Sequence, residues 1–142
     1  GVGTGYYSVF NGFYGQVKTK LLSVSGLKQV VLGEQFRLGD LPMAVVNPVA
    51  CSFRQTGFGG LLENTLEFEV LVLIRESEPQ NWFSDIAEPM GGVVDALMAD
   101  RTVGGYAKDL APVSFEPSGV RLANKLFYGG VVKFRAVLTV KV

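Results

Sequence analysis

Catalysis needs particular side chains, and this sequence of 142 residues is short of them. It has no histidine, which removes Ser–His and Cys–His nucleophile pairs, the commonest general base and nearly all zinc sites. The single cysteine, Cys51, stands in a β-rich segment with no imidazole to draw off its proton. It reads as a buried structural thiol. Glu67 and Glu69 point to one face of a strand pattern, as a glycosidase sets an acid beside a base; solvated strand faces carry that spacing far more often. Gly1-Val2-Gly3-Thr4-Gly5 echoes a phosphate-binding loop, yet no Gly-Lys pair occurs anywhere and the pattern's final glycine is missing. The aromatic opening from Tyr6 to Tyr14 suggests a base-stacking platform, but Lys18 and Lys20 are its only nearby cations. Core packing is the better use of those rings. No catalytic residue, cofactor or metal is expected, and no enzyme.

Composition agrees with a structural role. Apolar residues make up 48% of the chain, enough for a packed core and too many for disorder. The length suits one domain over 1–142. Thirteen basic and thirteen acidic residues cancel, so no broad electrostatic footprint for nucleic acid exists. Neutrality also does little to keep copies apart, which suits self-association. No apolar run approaches the roughly 20 residues that span a bilayer, and no secretory signal opens the chain. A soluble product with no membrane contact is expected.

The elements that would position any site organise around 65–105. Thr65 to Glu76 alternates and then turns almost wholly apolar, the pattern of a strand with one end deep in a sheet. Trp82, Phe83, Ile86, Met90, Val93, Val94 and Leu97 form one helical stripe. Pro89 either kinks that helix or marks a later start near Glu88. Upstream, Tyr6, Tyr7, Phe10, Phe13, Tyr14, Val17 and Leu21 recur at helical spacing, while alternation from Gln16 to Leu21 keeps a strand as the rival. Leu27 to Leu32 is a short strand. Pro42 to Val46 and Ala50 to Thr56 read as two β pieces parted by an Asn47-Pro48 turn. With the return at Gly57-Phe58-Gly59-Gly60 they make a hairpin at the edge of the sheet or projecting from it. Val113 to Phe115 and Val120 to Leu122 are short strands around a Pro117-Ser118-Gly119 turn. The cleanest strand is the last, where Val132, Phe134, Ala136, Leu138, Val140 and Val142 alternate with Lys133, Arg135, Thr139 and Lys141. Its cations complement Glu67 and Glu69, so the strands at Phe68 and Phe134 are expected to pair antiparallel. No repeat with a period of 20 to 50 residues is present.

Taken in order, the chain has a helix, a hairpin and a long strand ending Val70-Leu71-Val72-Leu73-Ile74. A helix ending Val93-Val94-Asp95-Ala96-Leu97-Met98-Ala99-Asp100 follows, then Arg101-Thr102-Val103-Gly104-Gly105, then a closing strand introduced by Phe127-Tyr128-Gly129-Gly130. This resembles the tail terminator, or tail completion, proteins of long-tailed bacteriophages and related particles. The resemblance implies an α+β fold, a mostly antiparallel sheet with helices packed on one face and a projecting β-hairpin. It also implies a virion protein assembled in the host cytoplasm, a homohexameric ring at the tail neck. Such a ring stops tail-tube polymerisation and joins tail to head connector, with DNA only passing through its lumen. A tail-tube subunit or head–tail connector is the runner-up; a small ligand-binding or enzymatic domain is the reading from another class.

Two groups of residues carry these expectations. Val45, Val46, Phe53, Arg54 and Phe58 form the expected subunit interface, because an apolar, nearly uncharged hairpin left in water invites aggregation. Asp100, Arg101, Gly104 and Gly105 form the structural loop. There Asp100 is expected to accept hydrogen bonds from the backbone of Thr102 or Val103, or to pair with Arg101 or a neighbouring chain. One of the two glycines is expected to have positive φ.

Overall fold

The computed structural model describes residues 5–33, 39–56, 59–74, 81–122 and 125–141. Its elements run α1 (Tyr6–Leu22), β1 (Gln29–Leu32), β2 (Met43–Gln55), β3 (Leu61–Leu73), α2 (Trp82–Met98), β4 (Asp109–Leu122) and β5 (Lys125–Lys141). The strands form one five-stranded sheet in the order β1-β2-β3-β5-β4. Only β1 and β2 pair in parallel; every other ladder is antiparallel. The fold is α+β.

Both helices bury one stripe against the same sheet face. Val9, Phe13, Val17 and Leu21 recur every four residues along α1 and are buried, as are Ile86, Met90, Val93 and Leu97 of α2. They join Ala44, Val46, Leu66, Phe68, Val70, Val72, Phe134, Ala136, Leu138 and Val140 in one core. The opening segment is thus a helix, not the rival strand. Tyr7 and Phe83 fall off their stripes and are 84% and 61% exposed. Helix α2 starts at Trp82 and runs through Pro89, which removes the later start near Glu88. Gly12, a poor helix residue, has a packing reason: a Cβ there would run into the Tyr106 ring. Gly92 likewise lets Val24 approach α2.

Strands β3 and β5 form the centre. Phe68 stands opposite Phe134, with their rings stacked at 5.3 Å. On the face away from the helices Arg135 reaches Glu67 at 3.2 Å and Lys133 reaches Glu69 at 3.8 Å. The charge match seen in sequence is a real register. At the other end of that face, Leu41, Met43, Val45, Leu73 and Phe127 bury one another in a second, smaller cluster.

Two expectations change. The segments around Asn47-Pro48 are one strand, with its register shifting between Pro48 and Ala50. Strand β4 likewise runs unbroken past Pro117, shifting between Pro112 and Ser114. A proline lacks the donor a ladder needs, so each starts a bulge or lies on an edge strand instead of ending the strand. Pro48, Phe68, Phe134 and Pro112 occupy one row across four strands. The register on either side of the Phe68–Phe134 pair is therefore related by an approximate two-fold rotation. In chain order, α1-β2-β3 parallels α2-β4-β5, with β1 inserted in the first. The β2–β3 hairpin, with the end of β5, extends beyond the start of β4, where Asp109 opposes Val137.

Candidate assembly surface

Strand β2 is half interior and half edge. From Met43 to Val46 it lies between β1 and β3. From Asn47 to Gln55 it pairs with β3, and no strand among the described residues pairs with its other side. That open stretch carries Arg54 as its only charge. Val49, thrown out by the bulge, is 55% exposed, and Phe53 is 59% exposed. Phe53 is held by Tyr6 at the start of α1, ring centroids 5.4 Å apart, so the exposed ring has a fixed place. Edge strands usually carry charge or twist away as protection against pairing. This one carries Pro48, a bulge and Arg54 as such protection, and still exposes Val49 and Phe53.

The five residues expected at the interface therefore separate. Phe53 and Arg54 lie on the open edge. Val45 and Val46 do not: they are 5% and 0% exposed, buried in their own subunit on opposite faces of the sheet. Strand β1 covers the part of β2 that holds them, and only a non-local neighbour decides that. Phe58 lies outside the described residues, as do Gly1 to Thr4 of the glycine-rich start. Val49 belongs to the apolar stretch that the sequence marks for assembly, and it is exposed there; the outer edge of β4, where Val113 and Phe115 are 51% and 40% exposed, was missed. The available signal was the parallel of Pro48-Val49-Ala50 and Pro112-Val113-Ser114.

The loop after α2 is built as a rigid clasp. Asp100 accepts hydrogen bonds from the Thr102 backbone at 3.1 Å, the Thr102 hydroxyl and the Gly104 backbone at 2.9 Å. Lys20 of α1 adds an ion pair at 3.0 Å. The Thr102 hydroxyl, then the Gly104 N–H and Lys20, hold the Asp100 carboxyl well below the usual carboxylate range. Arg101 turns away from Asp100 and grips Asp109 with two bonds, 2.7 and 2.9 Å long, which pulls the Asp109 carboxyl down as well. Gly104 and Gly105 both have positive φ, 67° and 88°; Val103 does too, at 51°. A β-branched residue in that region is strained, and complete burial of Val103 holds it there. Together these contacts tie the ends of both helices to the start of β4.

The side chains that suggested chemistry are engaged structurally. Glu67 and Glu69 face Arg135 and Lys133 across the ladder. Cys51 is half-buried, not buried as the sequence suggested; partial desolvation pushes its thiol up, and it lies 3.9 Å from Asn64 Oδ1. No helix among the described residues is long and apolar enough to cross a membrane. No protein-family model matches the sequence, and no curated protein matches it.

Proposed function

We propose that the chain is a non-enzymatic ring component at the tail neck of a phage-type particle. In this role it stops polymerisation of the tail tube and joins the tail to the head-side connector. The observation that carries the reading is the open edge of β2, from Asn47 to Gln55, with Val49 and Phe53 exposed on it. An apolar strand edge on a neutral chain is a template for another chain. A head-to-tail contact through it closes into a ring when the rotation permits. The order of elements and the Asp100–Gly105 loop support the tail-terminator identity of that ring, and six subunits is what the resemblance implies. The two central strands, the helix stripe and the Asp100 clasp give each subunit a stiff frame, as a length-determining cap needs.

A particle whose own copy of the gene is silenced tests this by complementation, read by electron microscopy of the tails. Supplying the natural chain restores tails of one length. Supplying Val49→Lys with Phe53→Lys leaves tails of uncontrolled length. Absent tails would point to a tube subunit, and unchanged particles would remove the reading.

A further inference from the structure

Resting on the ring reading above, we infer that the second surface of the ring contact is the α2–β4 side of the molecule, which docks on β1 and α1 of the next copy.

Where the sheet is widest, its outermost strands are β1 and β4. Leu32, the last residue of β1, stands in one row with Val46, Val70, Val132 and Phe115. That row ends at both edges in an exposed apolar side chain, Leu32 at 45% and Phe115 at 40%. Both point to the helix face. Leu32 lies two residues from Val30, which joins the core beneath the helices, and strand side chains alternate. Phe115 borders a groove of about 320 Å³ between α2 and β4, lined with it by Met90, Gly91, Val94 and Asp95. A copy turned about an axis along the strands keeps its rows level and brings its Leu32 against Phe115 at that groove. Strand β1 runs parallel to β2, and three antiparallel ladders separate β2 from β4, so β1 arrives antiparallel to β4. Pro117 cannot donate a ladder bond in the row of Val30, so side chains carry most of the contact. Past the end of β1, the bulged Val113 faces the open stretch of β2 near Pro48 and Val49, in the row where both strands shift register.

Charge identifies the neighbour as a second copy. Lys18 follows Asn11 and Tyr14 by seven and four residues, on the flank of α1 that those two share beside Leu32. Helix α1 runs from Tyr6, against Phe53, to Phe13, against Phe68, and so heads toward the row of Val70. From Phe13 to Lys18 it rises about 7.5 Å, roughly the two strand residues from Phe68 to Val70. Lys18 is therefore level with Leu32, as Asp95 is with Phe115. Among the described residues neither Lys18 nor Asp95 has an ion-pair partner. Joining like sides at this row would set Lys18 against Lys18, or Asp95 against Asp95. Joining unlike sides sets Lys18 against Asp95, and that contact is heterologous, so it generates rings.

Crosslinking of the full chain tests the contact, with circular dichroism verifying that each variant folds. Cys51→Ser chains carrying Leu32→Cys, Phe115→Cys or both are treated with a short bismaleimide. Only the chain with both cysteines is expected to give a ladder of linked subunits. Dimers from either single cysteine, or no ladder from a chain that still assembles, overturn the inference and leave the ring reading standing. Charge reversal on the two helix surfaces is read by native mass spectrometry. Lys18→Glu and Asp95→Lys are each expected to move dissociation of the assembly to roughly tenfold higher concentration. Combined in one chain, they are expected to restore it. No effect from either reversal, or weakening that the combined chain does not reverse, overturns the inference. A natural chain that stays monomeric removes the ring reading and this contact together.

Discussion

Single residues in this protein are constrained by what lies beyond their own element. Gly12 and Gly15 look alike within α1, yet a Cβ at Gly12 strikes Tyr106 and one at Gly15 meets nothing within 4 Å. Gly15→Ala is expected to stabilise the chain by about 0.5–1 kcal/mol, the helical cost of glycine. Gly12→Ala should gain less, because the Tyr106 ring must move aside, and urea midpoints for the two variants measure the difference. Asp100 makes a pH prediction. Its folded-state pKa lies below the unfolded value, so its contribution is fully present above about pH 4 and fades as pH falls toward the folded value. Unfolding midpoints between pH 6 and 3 should drop less steeply for Asp100→Asn than for the natural chain. The natural chain should also be the more stable at pH 6. Tyr14 works in the other direction. Burial, then Cys51, pushes its hydroxyl up to about 12, so its contribution is intact below about pH 10 and is lost as pH rises toward the folded value. An ultraviolet titration should place one tyrosine two units late, and Tyr14→Phe should remove it.

Elements show where sequence reading succeeds and where it fails. The stripes of α1 and α2 were legible because three-and-four spacing is a local property, and both helices bury those stripes. The β3–β5 register was legible because Glu67 and Glu69 match Arg135 and Lys133. Strands β2 and β4 were cut in two because Pro48 and Pro117 signal turns locally, whereas strand pairing carries the chain past them. Val45 and Val46 looked like an apolar surface, but an uncharged run is also what a strand covered on both sides requires. Only the distant β1 separates these meanings. The partner of Asp100, Lys20 at the far end of the other helix, left no local signal. The central ladder also ranks its own interactions. The Glu67–Arg135 pair is about half exposed, so Arg135→Ala should cost at most about 1 kcal/mol. Phe134, fully buried and stacked on Phe68, should cost about 3–5 kcal/mol when cut to alanine. Chemical denaturation of both variants measures the contrast.

At the scale of the whole molecule, the two helix–hairpin units build a sheet covered by helices on one face, with an apolar edge at each side. The inner strands and the Asp100 clasp satisfy themselves within the subunit; the exposed Val49, Phe53, Val113 and Phe115 do not. On the proposed ring reading, these four are the side chains a neighbouring copy would cover. The central claim is a closed assembly of fixed number, and the most direct measurement is mass photometry of the purified natural chain across a wide dilution series. The account predicts one dominant species at a fixed multiple of the 15.3 kDa chain, six-fold if the tail-terminator resemblance extends to stoichiometry. A monomer at every concentration, or an open-ended ladder of masses growing with concentration, would contradict it.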